Sequence, residues 1–322
     1  MNGERIKADY RTMAKPRAIE EVGDIYLIRP LGFLLVQLFR HTPLTPTAVS
    51  VLAVLAGWWS AWLFYASGRQ GMVPSLAIAA ALALLLHSAL DSADGQLARL
   101  KNMHTPLGRI IDGFCDNLSF LAIYLAVIFG YQARTTGHHR TLAALGVLAI
   151  VSHSIQSSLV EYQRTLYLHY VHGREEPADA RPAGGAAPGF AATILHGLHT
   201  AYCRQQRFFL SSTADLEVMI ARWRKQNPPL AAALAPRYEA SHRPLLPFWA
   251  LLAANSHKTG IIAAALVPVG GGSFWAGLGS GWYFVYVLAL NATLLVLIPV
   301  QRRVDRTLAA ELETLTASRK TA

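Results

Sequence analysis

Charged side chains are scarce in this sequence. Only 15% of its 322 residues are Asp, Glu, Lys or Arg, whereas an average soluble domain carries about 25%. Hydrophobic residues make up 53%, and the mean hydropathy is +0.30. This deficit of charge excludes an ordinary soluble domain and indicates a membrane protein.

Cysteine is also rare, since Cys115 and Cys203 are the only two. Two cysteines this far apart form neither a disulfide framework nor a zinc-type spacing. We interpret both as free thiols packed as small hydrophobes. The N-terminus, "MNGERIKADYRTMAKPR", lacks the apolar core of a signal peptide.

Long apolar stretches make up much of the sequence. A membrane-spanning helix needs about 20 mainly apolar residues. Six stretches meet this requirement: 46–66, 72–92, 109–133, 141–162, 247–268 and 274–300. The sequence therefore predicts an all-α polytopic membrane protein with six transmembrane helices.

A shorter apolar stretch precedes these spans. "RPLGFLLVQLFR", residues 29–40, has an apolar centre too short to cross a bilayer, and Pro30 suits a first helical turn. We expect an interfacial helix on the membrane, within a cytoplasmic N-terminal segment of residues 1–45. The alternative is the start of a longer first span, broken at Pro43 and Pro46.

Basic residues predict the orientation of the chain. If the N-terminus is cytoplasmic, 25 of the 29 Lys and Arg residues lie on the inner side and three in outer loops. This asymmetry follows the positive-inside rule. It accounts for the net charge of +10 through anionic lipid headgroups, without nucleic acid. We expect a multi-pass protein of the inner (cytoplasmic) membrane.

A long polar segment separates the fourth and fifth spans. We divide the chain into residues 46–162 with four spans, a cytoplasmic insertion at 163–246, residues 247–300 with two spans, and a cytoplasmic tail at 301–322. The insertion opens on a linker, "HGREEPADARPAGGAAPG". It then carries a helical apolar stripe that suits either the membrane surface or packing against the helix bundle: Leu216, Met219, Ile220 and Trp223.

Four carboxylates interrupt the apolar chain between the second and third spans: Asp91, Asp94, Asp112 and Asp116. Spacings of three and four place each pair on one helix face, so neighbouring antiparallel helices can direct both pairs into one cytoplasmic cleft. Four close carboxylates cannot all stay ionised unaided, because like charges raise each other's pKa. The cluster therefore predicts divalent cations, two Mg²⁺ or Mn²⁺ ions.

Small residues and one arginine accompany these carboxylates. Gly95, Ala98 and Gly108 would let a ligand approach the helix backbone, although close helix packing is the common use of such residues in membranes. Arg99 has a forked donor set that suits phosphate oxygens, and it could equally pair with an aspartate. Together these residues point to a bound pyrophosphate and to attack at phosphorus.

The stretch "DSADGQLAR", eight further residues, and "GRIIDGFCD" resemble the signature of the CDP-alcohol phosphotransferase family, D-x2-D-G-x2-A-R-x8-G-x3-D-x3-D. All its fixed positions match. The six spans and the N-terminal helix fit the same family. The insertion at 163–246 departs from compact members and is more similar to a bacterial subgroup associated with inositol lipids.

The resemblance implies a role for each matching residue. Asp91 and Asp112 would ligate both metal ions, Asp94 would complete the first site, and Asp116 would serve the second ion and act as general base. The CDP moiety would be bound by Gly95, Ala98, Arg99 and Gly108. The reaction would transfer a phosphatidyl group from CDP-diacylglycerol to an alcohol acceptor and release CMP. The resemblance also implies a homodimer.

Basic side chains near the predicted site indicate which alcohol is the acceptor. Lys258 lies inside a predicted span, where an unpaired ammonium is costly, so we expect it to have an anionic partner. We set the aspartates aside because metal ions would compensate them. With Arg109 and Arg164, Lys258 favours a phosphorylated acceptor over serine or free inositol, with inositol phosphate as the first candidate and glycerol 3-phosphate still open. The alternative is that Lys258 snorkels to a headgroup.

Two other functions remain open from the sequence. A soluble CDP-linked head group, such as CDP-choline or CDP-ethanolamine, could be donated to a lipid alcohol. A divalent-cation transporter could bind its cargo with the same aspartates. Transporter sites lie near the bilayer midplane, however, and Arg99 would repel cations, so we favour the phosphatidyltransferase.

Overall fold

The computed structural model describes Tyr10 and residues 16–71, 73–103, 106–131, 139–173, 190–266 and 282–321. Side chains are described throughout these ranges except at 106–112, 131, 190–196, 198–199, 229, 264–266, 282 and 319–321. The described residues form helices and no strand. The prediction of an all-α protein is confirmed.

The chain runs through a π-helical segment, Asp24–Ile28, and then a series of α-helices. In chain order these are α1 Arg29–Phe39, α2 Pro46–Gln70, α3 Pro74–Lys101, α4 Pro106–Tyr131, α5 His139–His172, α6 Phe190–Phe209, α7 Ser211–Gln226, α8 Leu234–His242, α9 Leu246–Ala250, α10 Ala254–Leu266, α11 Trp282–Ala289 and α12 Asn291–Thr321. Short 3₁₀ turns lie at Arg17–Ile19, Pro228–Ala233 and Arg243–Leu245.

Local sequence signals begin and end the helices that carry the acidic motif. The Thr45 hydroxyl accepts a hydrogen bond from the Ala48 amide at 3.2 Å, and Pro46 occupies the first turn of α2. This helix ends at Gly71, whose φ of 104° suits glycine. Helix α3 begins at Pro74 and ends at Asn102, which has a left-handed φ of 53°.

Five helical segments are long and apolar enough to cross a membrane: Pro46–Gln70, Pro74–Lys101, Gly113–Gly130, His139–His172 and Tyr283–Ser318. They match the first four predicted spans and the sixth, which confirms a polytopic membrane protein. The predicted span at 247–268 contains α9 and α10, separated by residues 251–253. Residues 267–281 lie outside the described part of the chain, so this span stays a prediction.

Several helices extend beyond the spans predicted from hydropathy. Helix α3 continues to Lys101 rather than ending near residue 92, and α5 continues to His172 rather than 162. Residues 301–321 of the predicted tail continue helix α12. The first half of the acidic motif therefore lies within a continuous helix.

The chain divides into two compact units, and the acidic motif lies in the first, Met1–Ser154 with Ala254–Ala289. Here α2 packs against α3 and α4, while α1 and α10 pack against α3. At Gly57 an added Cβ would lie 2.7 Å from the Ser119 hydroxyl, so glycine permits the close approach of α2 and α4. This approach brings the functional side chains of these helices together.

Helix α1 coincides with the predicted interfacial helix. It ends at Phe39, before α2 begins at Pro46, so it is a separate helix and not the start of the first span. Val36 is buried against α2 and α3, whereas Leu34 and Leu38 are exposed. An exposed apolar side suits a membrane surface, and the location of α1 there stays a prediction.

The second unit comprises Ile155–Ala253 and Leu290–Ala322. The apolar stripe of the insertion lies on α7, which packs against α12. Ile220 is buried, and the Trp223 indole donates to the Leu312 carbonyl at 3.0 Å and to the Thr316 hydroxyl at 2.9 Å. The stripe therefore packs against a helix, which decides between the two interpretations of this segment. The predicted linker at 174–189 lies outside the described residues.

Candidate active site

The acidic motif is carried by α3 and α4. Helix α3 supplies a half-buried stretch that a ligand can reach: Asp91, Gly95, Ala98 and Arg99. Asp94 points into the protein instead and is 4% exposed. Helix α4 supplies Asp116. The predicted site residues of α3 and Asp116 of α4 thus lie on two helices of the same unit.

Asp94 is fixed by a residue on α2. The Ser50 hydroxyl donates to its Oδ2 atom at 2.6 Å. A buried carboxylate needs a donor of this kind, because burial removes its hydration. The orientation of Asp94 is therefore set by the packing of α2 on α3.

Asp116 contacts two potential cations. Its Oδ1 atom lies 3.2 Å from His87 Nε2 and 3.2 Å from Lys258 Nζ. The other imidazole nitrogen, Nδ1, lies 2.9 Å from the carbonyl oxygen of Ala53. A carbonyl only accepts, so Nδ1 donates to it and the ring is fixed between α2 and Asp116. His87 lies four residues before Asp91 on α3, yet its side chain contacts Asp116 on α4.

Lys258 joins the two halves of the motif. Its Nζ atom lies 3.6 Å from Asp91 Oδ2 in addition to the contact with Asp116, and the residue is 4% exposed. The ammonium also lies 5.5 Å from the centre of the Phe120 ring, a favourable cation–π arrangement. The partner that the sequence predicted for Lys258 is thus supplied by the aspartates that the sequence reasoning had set aside.

The N-terminal segment holds the helix that carries Lys258. The Glu21 carboxylate accepts from the Ser256 amide at 3.1 Å, and Asp24 accepts from the Asn255 side chain. Carboxylates at a helix N-terminus satisfy free amides and interact favourably with the helix dipole. This segment therefore positions the first turns of α10 next to the acidic motif, a role that the sequence did not reveal.

A hydrogen-bonded group of rings adjoins the acidic site. His153 and His257 stack with centroids 3.8 Å apart, and each Nδ1 contacts a tyrosine hydroxyl, Tyr124 at 3.0 Å and Tyr283 at 3.2 Å. The two hydroxyls lie 3.2 Å from each other. Phe120, which lies beneath Lys258, meets the His153 ring at 4.2 Å. His153 and His257 thus belong to one buried polar group.

Gly95 keeps space open on the half-buried stretch of α3. Among the described atoms, a Cβ built there would meet the end of the Arg99 side chain, with Nη atoms at 3.7 and 3.9 Å, and nothing else. The guanidinium therefore lies over the glycine, where a phosphate oxygen could reach both the donor fork and the backbone. Among the residues whose side chains are described, no packing contact requires glycine at this position.

The remaining predicted site residues lie outside the described side chains or in the second unit. The side chains of Gly108, Arg109 and Asp112 lie outside the described residues, and Arg164 belongs to the second unit. The predicted acceptor pocket of Lys258, Arg109 and Arg164 therefore stays a prediction.

The predicted metal site depends on the same carboxylates. Where side chains are described, no group of three or more His, Cys, Asp or Glu is placed to hold a metal ion. Asp91 and Asp116 nevertheless both contact one ammonium nitrogen, at 3.6 and 3.2 Å. Carboxylate oxygens suit Mg²⁺ or Mn²⁺, and the side chain of Asp112, another predicted ligand, lies outside the described residues.

The comparison with known families bears on this geometry. The sequence model of the CDP-alcohol phosphatidyltransferases matches residues 43–203, half of the chain, from just before α2 into α6. The match contains the whole acidic motif. Members of this family are CDP-alcohol phosphotransferases of phospholipid synthesis and generally depend on a divalent cation. With a helical membrane fold and carboxylates gathered at α3 and α4, the chain belongs to the CDP-alcohol phosphatidyltransferase family.

Proposed function

We propose that this enzyme transfers a phosphatidyl group from CDP-diacylglycerol to a phosphorylated alcohol and releases CMP, with inositol phosphate as the first candidate acceptor. The single observation that carries the choice is the buried ammonium of Lys258 beside Asp116. An acceptor hydroxyl must approach a base here, and a cation beside that base favours an anionic acceptor over serine or free inositol. The active site would face the cytoplasm at the inner membrane.

Two Mg²⁺ or Mn²⁺ ions fit the proposed reaction. Asp91 and Asp112 would be ligands of both ions, Asp94 would complete one site and Asp116 the other. Convergence of Asp91 and Asp116 on one Nζ atom supports their sharing of a cation. When bound, the ions would polarise the pyrophosphate and neutralise charge on the departing CMP.

Asp116 is the proposed general base. Its side chain is 25% exposed, so an acceptor hydroxyl can reach it, while His87 and Lys258 hold one of its oxygens. A carboxylate in this position can take the hydroxyl proton as the oxygen attacks phosphorus. The proton is then held at an Asp116 carboxylate oxygen.

The half-buried stretch of α3 is the proposed site for the CDP moiety. Gly95 and Ala98 leave room beside the helix, and Arg99 places a forked donor over that room. A planar guanidinium can bind two phosphate oxygens at once, which orients the pyrophosphate as well as attracting it. Gly108 would complete this site from α4.

The second candidate reaction reverses the donor and acceptor. A soluble CDP-linked head group, as in CDP-choline, would be transferred to a lipid alcohol. The signature fits both reactions, and the buried cation favours the first, because a diacylglycerol acceptor carries no anion for it. CDP-choline consumption without CDP-diacylglycerol consumption would establish the second reaction instead.

A panel of acceptors tests the proposal. Purified protein would be incubated with CDP-diacylglycerol and inositol 1-phosphate, glycerol 3-phosphate, serine or inositol, and lipid products identified by mass spectrometry. We expect a phosphorylated acceptor to be used best. Lys258→Met should raise the KM for that acceptor by about tenfold or more, with the KM for the donor nearly unchanged.

Lys101→Met is a matched control, because Lys101 donates to the carbonyls of Thr42 and Leu44, at 3.1 and 2.8 Å, and not to an aspartate. Its acceptor kinetics should equal those of the wild type. Best activity with an uncharged acceptor, or unchanged acceptor kinetics in Lys258→Met, would show that the acceptor assignment is wrong.

A further inference from the structure

The acidic site contains a cation of its own. Lys258 Nζ lies 3.2 Å from Asp116 Oδ1 and 3.6 Å from Asp91 Oδ2, and the residue is almost completely buried. Asp94 is bonded to the Ser50 hydroxyl instead. Asp91 and Asp116 thus share one ammonium.

The position of this ammonium is supported from several sides. Helix α10 begins at Ala254, and the bonds of Glu21 and Asp24 hold its first turn. The Phe120 ring lies 5.5 Å from Nζ. His87 is the other potential cation that contacts Asp116. Lys258 is therefore a built-in component of the acidic site and not a surface side chain that happens to reach it.

Asp91 and Asp116 are also the proposed ligands of the second metal ion. A divalent cation bound to both would lie within a few ångströms of the ammonium, and like charges at that distance repel strongly where water is scarce. We propose that Lys258 is an internal counter-cation that competes with the second metal ion for Asp91 and Asp116. This inference rests on the proposed two-metal function.

The competition makes the two ion sites unequal. An ion held through Asp91 and Asp116 has to displace Lys258 from both carboxylates, whereas an ion held through Asp91 and Asp94 has to displace it from Asp91 alone. The second ion therefore binds more weakly than the first. Once displaced, the ammonium can pair with an anionic ligand, so such a ligand strengthens binding of the second ion.

Metal binding without substrate tests the competition. Purified full-length protein would be titrated with Mn²⁺ by calorimetry, with bound Mn²⁺ counted by electron paramagnetic resonance. We expect one tighter and one weaker site in the wild type. Lys258→Gln and Lys258→Met should tighten the weaker site by about tenfold or more, because both remove the competing charge.

Two control variants accompany these: one keeps a positive charge at position 258, and the other removes a positive charge at position 101. Lys258→Arg retains a cation and should bind Mn²⁺ like the wild type. Lys101→Met removes a lysine that contacts backbone carbonyls, and it should also be unchanged. If Lys258→Met fails to fold, Lys258→Gln still decides, because its amide can donate to carboxylates without carrying charge.

Thermal unfolding gives an independent readout. Without metal, Lys258→Gln should unfold at a lower temperature than the wild type, and Mn²⁺ should raise its Tm by a larger increment. Equal weaker-site affinities in Lys258→Gln and wild type would overturn the inference while leaving the two-metal site intact. A wild type that binds no Mn²⁺ would overturn the metal basis of the proposed function, and the inference with it.

Discussion

At the residue scale, the acidic motif is oriented by partners outside the motif. Ser50 holds Asp94, His87 contacts Asp116, and Lys258 bridges Asp116 and Asp91. Because these partners come from α2, α3 and α10, the carboxylates are positioned by the packed first unit before any ligand binds. Such preorganisation lowers the cost of arranging the site when substrate arrives.

Gly95 provides a prediction at this scale. Gly95→Leu should weaken donor binding by at least about tenfold, since its side chain would fill the space proposed for the CDP moiety. Gly95→Ala should have a smaller effect, because its Cβ would meet only the Arg99 side chain at ordinary contact distance. Calorimetry with CDP-diacylglycerol in detergent measures both affinities.

Gly197→Leu is the control for this prediction, because no described atom lies within 4 Å of a Cβ at that exposed helical glycine. It should bind donor as the wild type does. Normal donor affinity in a folded Gly95→Leu variant would show that this glycine does not line the CDP site.

The sequence predicts the motif residues but not all their partners. The eight signature positions are read directly from their spacing. Ser50 is a serine in an apolar helix, and nothing in the sequence marks it as a partner of Asp94, which lies 44 positions further along the chain. The hydrogen bond between them depends on how α2 packs against α3. Lys258 stood out by its charge within an apolar segment, and its partner was missed because the reasoning assumed that metal ions already compensated the aspartates.

At the scale of elements, hydropathy locates apolar stretches and not helix ends. The apolar residues of the second span stop near residue 92, yet α3 continues to Lys101 because "GQLARLK" contains good helix formers and the left-handed Asn102 supplies the stop. Pro46 and Pro74, in contrast, predict helix starts well, since proline is tolerated in a first turn.

Helix α7 gives a prediction that separates packing from membrane contact. Ile220 is fully buried, so Ile220→Ala should lower the free energy of unfolding by about 2–5 kcal/mol. Val218 on the same helix is 51% exposed, and Val218→Ala should change the free energy of unfolding by less than about 0.5 kcal/mol. Thermal and denaturant unfolding in detergent measure both variants.

If α7 instead lies on the membrane through its apolar stripe, Ile220→Ala would reduce binding to anionic vesicles while leaving the stability of the protein in detergent unchanged. That result would contradict the packing of α7 against α12. The sequence alone left both possibilities open, because an apolar stripe of this width suits a protein surface as well as a lipid surface.

At the scale of the whole molecule, the number of transmembrane spans determines on which side of the membrane each terminus lies. Five candidate spans are present in the described residues, and 247–268 is the predicted sixth. With six spans both termini are cytoplasmic, whereas five would place them on opposite sides. The concentration of Lys and Arg in the predicted inner segments favours six.

Thiol labelling tests this topology. In a variant without Cys115 and Cys203, single cysteines at Asn2 or Ala322 should react with an impermeant reagent only in inside-out vesicles. A cysteine at Arg69, in a predicted outer loop, should react only in right-side-out vesicles. Termini that label from opposite sides would show that 247–268 does not span the membrane.

CMP release tests the central claim most directly. Purified wild-type protein with CDP-diacylglycerol, Mg²⁺ and the acceptor panel should release CMP, and exhaustive chelation should abolish the release. Asp91→Asn, Asp94→Asn, Asp112→Asn and Asp116→Asn should each lower turnover by at least about a hundredfold. Asp215→Asn, at an exposed position on α7, should keep wild-type turnover. CMP release that survives chelation, or that persists in the motif variants, would contradict metal-assisted phosphatidyl transfer at this site.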